Sequence, residues 1–345
     1  MTNRENYLSL VKRKGFCKMP YDFNMSPIFE SNLKKYMEET GFSYSFDAYD
    51  FDNGLHAIPV DLEIYRKFYP YELKEGAEFT IYGVAHEPGE GCFHMTRMRH
   101  PMAEFDSLEQ ILSYPFPEFN QNPVINKKSD DYVNVGNMAC TVWEMAWYLR
   151  SMENLFVDMM TEDPIAEAIF DKVTEISVRN AVSHVNAGAD ILFVGDDIGM
   201  QRTVMMSEEL YCTWIKPRIK KVIDEARKVN PDIVVFYHSC GFVTPFIPHL
   251  IDVGVDVLNP VQPECMDFSE IHAEFGDKMS FHGTLGTQSL IPFGTPEDIK
   301  KEVFKNLDIA SSKGGLLVSP THMIEPEVPV ENIVAYIEAC NEYCR

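Results

Sequence analysis

The chain has 345 residues, 45% of them hydrophobic and 24% charged, a balance that suits a globular protein with a sizeable core. Its 30 basic and 53 acidic residues leave a formal charge of −23, which speaks against nucleic acid or an anionic membrane as the main partner. No apolar run approaches the roughly 18 residues of a membrane span, and the opening "MTNRENYLSLVKRKGF" lacks the apolar core of a signal peptide. The expectation is a cytoplasmic protein whose eight cysteines stay reduced. Their irregular spacing, without a CxxC pair, argues against a disulfide framework or a structural zinc ribbon.

The elements follow in chain order. A first strand is expected around Glu78–Ala85, in the less regular N-terminal third. From about residue 130 apolar strand signals alternate with helical ones. The strands are Tyr132–Met138, Asp190–Gly195, Ile233–Tyr237, Val255–Asn259, Met279–His282 and Gly315–Ser319. Among the helices, Ser207–Val229 opens on a Ser cap with Glu208 and Glu209 in its first turn, as the helix dipole favours. Thr295–Ala310 begins "TPEDI", a cap followed by proline at the first helical position, and Glu331–Tyr343 closes the chain.

Short apolar strands, each followed by a helix, predict a parallel sheet covered on both faces. Six such units are too many for half of a dinucleotide-binding fold. They fit most of a single (β/α)8 barrel occupying residues 1–345 as one domain, with an irregular N-terminal extension. An open doubly wound sheet is the alternative, but the glycine-rich phosphate fingerprint GxGxxG is missing after the first strand.

In such a barrel the chemistry sits just past each strand. Those positions hold Asp196 and Asp197, then His238 and Cys240, then Gln262 and Glu264, then His282, and finally Thr321 and His322. The pair in "HSCG" supports three readings. His238 and Cys240 can turn toward one point on an extended segment and, with His322 from a later loop, form a three-ligand metal site with an open position. They can be a nucleophile and its base, or a buried strand end. Asp197 is expected in catalysis as an acid or base, with Asp196 and Glu264 in substrate binding, although the two aspartates also suit capping of the next helix. His282, in "FHGTLGTQ", is expected to be either a catalytic residue or a core histidine. The run "TVWEMAWYLRSMENL" has helical spacing and reads as core, with Trp143 the member expected to reach a substrate pocket. Cys340 and Cys344 share one helical face and read as packing.

The runs "HSCGFVTPFIPHLIDVGVDVLNPVQ", "FHGTLGTQSLIPFGTPEDIKKEV" and "GGLLVSPTHMIEPEVPVENI" resemble the uroporphyrinogen decarboxylase superfamily, in its branch of corrinoid-dependent methyltransferases. The likeness extends upstream through "ILFVGDDIGMQ" and "WEMAWYLRSMENLFVDMM". It implies a (β/α)8 barrel. The N-terminal "RQAGR" element that gives true decarboxylases their carboxylate-binding arginines is absent, and the region reads "CKMPYDFNMSPIF". In the zinc enzymes of the branch an HxC pair and a late Cys hold the metal. His238 and Cys240 match the pair, while the late position holds His322. One thiolate and two imidazoles would leave zinc with a residual positive charge, suited to an ether or alkoxide oxygen.

The resemblance therefore implies a zinc-dependent methyltransferase that moves a methyl group between a small donor or acceptor and a corrinoid. An aryl methyl ether, undergoing O-demethylation, is the expected substrate. The cobalt-ligating DxHxxG motif is missing, since none of the ten histidines has Asp two positions earlier. The corrinoid is thus expected on a separate carrier protein. The rival is a metal-free decarboxylase or other lyase, which requires inward-facing arginines, with Arg97, Arg99 and Arg202 the candidates.

Overall fold

The apolar runs in the second half of the chain all become strands of one sheet. The computed structural model describes residues 1–45, 49–50, 57–89, 97–120, 130–310 and 314–343. In chain order the strands are β1 (Tyr49–Asp50), β2 (Glu78–Phe79), β3 (Ala85–Glu87), β4 (Arg97–Arg99) and β5 (Val133–Ala139). They continue with β6 (Ile191–Gly195), β7 (Val234–His238), β8 (Val257–Val261), β9 (Ser280–Leu285) and β10 (Leu316–Pro320). β1 and β5 to β10 lie side by side in that order, and every neighbouring pair is parallel. β8 and β10 are buried along their whole length, as strands covered on both faces must be. This succession of parallel strands and outer helices is the wall of a (β/α)8 barrel.

Glu78–Ala85 is not the first barrel strand. Thr80–Gly83 form a turn inside it, with Gly83 at φ +78°, so its two ends become β2 and β3 of an antiparallel sheet completed by β4. The strand beside β5 is β1 instead.

The helices keep the expected places. Asp163 caps Pro164–Asn186, accepting from Ile165 N at 2.9 Å. Thr295 and Asp298 cap each other reciprocally at the start of Pro296–Ala310. The expected single helix from Ser207 to Val229 holds a wider π turn over Tyr211–Ile215 before Lys216–Val229. Pro217 explains it: without an N–H it cannot donate back four residues, which frees the preceding turn to widen.

The N-terminal segment matters for the site. Met25 bridges Ile324 in parallel, just beyond β10, and Ser26 N donates to Ile324 O at 2.9 Å. Ser319 Oγ and Tyr336 Oη both donate to Asp22 O, at 2.9 and 3.1 Å. Asp22 is thereby held at the top of β9 and β10. Cys340 is buried, as packing requires, and Cys344 lies outside the described residues. Among the described residues no helix is long and apolar enough to cross a membrane.

Candidate active site

Three neighbouring strands bring their polar residues to one level. Gly195 of β6 pairs with His238 of β7, and His238 pairs with Asn259 of β8. Gly195 sits at φ +146°, and any side chain there would collide with the His238 backbone. Gly241, at φ +85°, lets the loop after β7 rest on the loop after β6, where Phe242 N donates to Met200 O at 2.8 Å.

Ser239 turns into the core, its Oγ accepting from Ile198 N at 3.0 Å, while the residues on either side face the barrel mouth. Cys240 Sγ lies 3.8 Å from His238 Nε2, and that nitrogen is 3.6 Å from Asp197 Oδ1. Cys240 N donates to Asp197 Oδ1 at 2.7 Å. One ligand atom from each of Asp197, His238 and Cys240 falls within 4.8 Å of the other two. Burial, then Asp197 and Glu144, push the Cys240 thiol up to about 12. A cation at the cluster would pull it the other way. The sulfur, nitrogen and oxygen donors are those zinc uses.

A directed hydrogen-bond chain stands behind the cluster. His238 Nδ1 lies 2.6 Å from Asn259 Oδ1, an atom that only accepts, so the ring proton is on Nδ1 and Nε2 offers its lone pair. Asn259 Nδ2 donates to His282 Nδ1 at 2.5 Å, which places the His282 proton on Nε2. That nitrogen donates to the buried carboxylate of Asp22, at 2.9 and 3.1 Å. Turning the Asn259 amide round would require both nitrogens of His282 to donate, making that ring a cation.

Two cavities open above these groups. One, of about 290 Å³, is lined by Asp22, Phe193, His238, Asn259 and His282 among others. The second, of about 380 Å³, is lined by Met200, Gln201, Cys240, Gln262 and Gln288. Thr321, His322 and Met323 form their shared wall.

The residues expected from the sequence divide into two groups. Asp197, His238, Cys240, His282 and His322 all reach the mouth. Asp197, expected as an acid or base, takes the third place in the ligand cluster, whereas His322 is exposed and stands outside it.

Asp196, Trp143 and Glu264, expected in substrate binding, have structural partners in the fold. Asp196 is fully buried and accepts from Val142 N at 2.9 Å and Glu144 N at 3.0 Å. It caps Trp143–Arg150 from across the chain because Val142, at the cap position, has no side-chain acceptor. Burial, then Glu144, push it up to about 7. Trp143 is wholly buried against Phe156, with ring centroids 4.9 Å apart. Glu264 braces the loop after β9, accepting from Gln288 N at 3.2 Å and Ser289 Oγ at 2.8 Å. Arg99 is bound to Glu87 at 2.9 Å, and neither it nor Arg97 or Arg202 lines either cavity.

Asp22, Asn259 and Glu144 were not anticipated. Glu144 Oε2 accepts from Asp197 N at 3.2 Å, and its other oxygen accepts from Tyr148 Oη at 2.8 Å. Burial, then Asp197, raise its carboxyl above the ordinary range. The usable signal was a lone acid among the apolar residues of "TVWEMAWYL".

Residues 118–343 match the profile of the family described as uroporphyrinogen decarboxylase (URO-D). A methylated-thiol–coenzyme M methyltransferase of Methanosarcina mazei is 24% identical over 63% of this chain and 56% of its own length. A methylcobamide:CoM methyltransferase of Methanosarcina barkeri is 26% identical over 64% of this chain and 61% of its own. The chain thus spans little more than half the length of the curated relatives it matches. A solved structure described as a methyltransferase from Methanosarcina mazei covers 99% of both chains with a TM-score of 0.61. At 18% identity that likeness speaks to the fold, a barrel running nearly the whole chain.

Proposed function

The chain belongs to the uroporphyrinogen decarboxylase family, and on that premise we propose that it is a zinc-dependent, corrinoid-linked methyltransferase. In this reading it takes a methyl group from a small methyl ether, an aromatic one, and passes it to a corrinoid on a separate carrier protein docked over the barrel mouth. The observation that carries the proposal is the Asp197–His238–Cys240 cluster at the ends of β6 and β7, on the face where barrels of this kind do chemistry. The names of the two methyltransferase relatives support methyl transfer linked to a corrinoid, although they name a methylated thiol and CoM rather than an ether.

Asp197, His238 and Cys240 would hold the metal, leaving room for a substrate oxygen. When bound, zinc would supply a Lewis acid for the oxygen that loses its methyl group, a weaker one than the His/Cys/His set because Asp197 and Cys240 together would neutralise its charge. The chain's own residues do the rest. Asn259, held by His282 and Asp22, keeps the His238 lone pair aimed at the cluster. Phe193 lines the smaller cavity and offers a face for a ring. When the carbon–oxygen bond breaks, its electron pair stays on oxygen, which then takes up a proton. We assign that proton delivery to His322, exposed on the wall shared by both cavities.

The test combines metal analysis of the purified protein with an assay of methyl transfer from a methyl-ether panel to a reduced corrinoid carrier. One tightly held zinc per chain and transfer abolished by a chelator are expected. Full transfer after complete metal removal would overturn the mechanism.

A further inference from the structure

The metal cluster lies where the two mouth cavities meet: His238 lines the smaller and Cys240 the larger. Their walls differ in chemistry. The smaller has Phe23 and Phe193, whereas no Phe, Tyr or Trp is among the described residues lining the larger. Three glutamines line it instead, Gln201, Gln262 and Gln288. Gln262 directly follows β8 and is only 7% exposed. Its Oε1 accepts from Gly241 N at 3.1 Å, and because a backbone N–H only donates, the amide has one orientation, with Nε2 turned away. Gln262 Nε2 has no hydrogen-bond partner among the described residues, yet it is not one of the side-chain atoms sealed from the surface. A donor held this firmly and left open on a cavity wall calls for an acceptor in that cavity. On the exposed rim Gln288 Nε2 donates to Gln201 Oε1 at 3.4 Å, which leaves Gln288 Oε1 as an acceptor and Gln201 Nε2 as a donor.

We propose that the larger cavity receives the carboxamide edge of the corrin ring itself, with Gln262 Nε2 donating to an amide carbonyl on that edge. The inference rests on the reading of this chain as a corrinoid-linked methyltransferase, and adds where and through which residue the corrinoid is held. A methyl group passed from oxygen to cobalt has those two atoms on opposite sides of its carbon, so donor and corrin need separate chambers that meet at the cluster. The phenylalanine faces of the smaller cavity suit an aromatic donor. A corrin is fringed with acetamide and propionamide chains, each both donor and acceptor, and the glutamines of the larger cavity present both kinds of partner. Glu325 is the acid on that wall, and it disfavours a carboxylate in place of the amide.

The full-length protein, labelled with 13C at its methionine methyls, is titrated with dicyanocobinamide, a diamagnetic cobalt(III) corrin that keeps its amide chains, and followed by NMR. Met200 lines the larger cavity, and Met138 lies away from both. A saturable shift at Met200 with none at Met138 is expected. Gln262→Glu keeps an oxygen for Gly241 N and removes the open donor, so it should weaken the corrin about tenfold or more, the scale of one lost buried hydrogen bond. Its near-UV circular dichroism and metal content should match those of the unaltered chain, which separates a lost contact from a displaced loop. Should Gln262→Glu not fold or lose its metal, the double variant Gln201→Leu with Gln288→Leu, both on the exposed rim, decides instead and should weaken the corrin by about the same factor. No shift at Met200 up to millimolar cobinamide, or undiminished affinity in the deciding variant, would each overturn the proposal. The titration needs no turnover. A chain that binds cobinamide through Gln262 but moves no methyl group sinks the methyl-ether reading and leaves this one. A chain that transfers methyl groups yet binds cobinamide equally well as Gln262→Glu sinks this one alone.

Discussion

His238 Nδ1 and Asn259 Oδ1, 2.6 Å apart on paired strands, fix which nitrogen of His238 faces Cys240 and Asp197. Groups that orient a ligating histidine from behind are worth about 10- to 100-fold in metal affinity. Asn259→Leu should weaken zinc by that factor, measured by competition with a chromogenic chelator. Asn259→Asp retains an acceptor for His238 and loses only the donor to His282, so it should weaken zinc less. Equal losses in the two variants would show that the hydrogen bond to His238 is not what matters.

The barrel was legible because its strands are short apolar runs whose ends carry polar residues, and that pattern survives any detail of packing. The pair His238 and Cys240 was legible for the same reason. The third member was not. His322 and Asp197 both follow strand ends, and nothing in their spacing shows which reaches the pair. That depends on Gly195 and Gly241, which let the β6 and β7 loops lie close together, carrying Asp197 onto Cys240 N. Asp22 was hidden differently. It is 260 residues from His282 in sequence, and only the packing of the N-terminal segment beside β10 joins them. Asp196 and Trp143 are both buried, since a polar or aromatic residue just past a strand can turn to the core as well as to the mouth. The missing cap at Val142 decides where Asp196 goes.

Metal content and turnover should separate in two single variants. Cys240→Ser removes the sulfur donor and should lose both zinc and methyl transfer. His322→Ala should keep one zinc per chain while turnover falls about 100-fold or more, the scale of a lost proton donor. If His322→Ala is isolated without metal, His322 is a ligand after all and the proton must come from elsewhere.

Asp196 offers a test of structure apart from chemistry. Asp196→Ala would leave Val142 N and Glu144 N buried without their acceptor, a loss of about 1–3 kcal/mol. Denaturant unfolding at constant slope should show that drop. Asp196→Asn keeps one acceptor oxygen and should lose less. No change in stability for Asp196→Ala would remove the capping role.

His184 gives the pH dependence its sign. Burial lowers the ring from 6.5 to about 4, so the folded state binds fewer protons than the unfolded one between those values. The stability this group contributes is therefore present above pH 6.5 and drains away as pH falls toward 4. Between pH 7 and pH 5 the loss is about 2 kcal/mol, taking each shifted unit as about 1.4 kcal/mol. His184→Gln removes the titration without adding a charge. Its unfolding free energy should be lower than that of the unaltered chain at pH 7 yet change less between pH 7 and pH 5. Parallel pH profiles for the two proteins would mean that protonation of His184 is not coupled to unfolding, and that the acid sensitivity of the fold lies in its carboxylates instead.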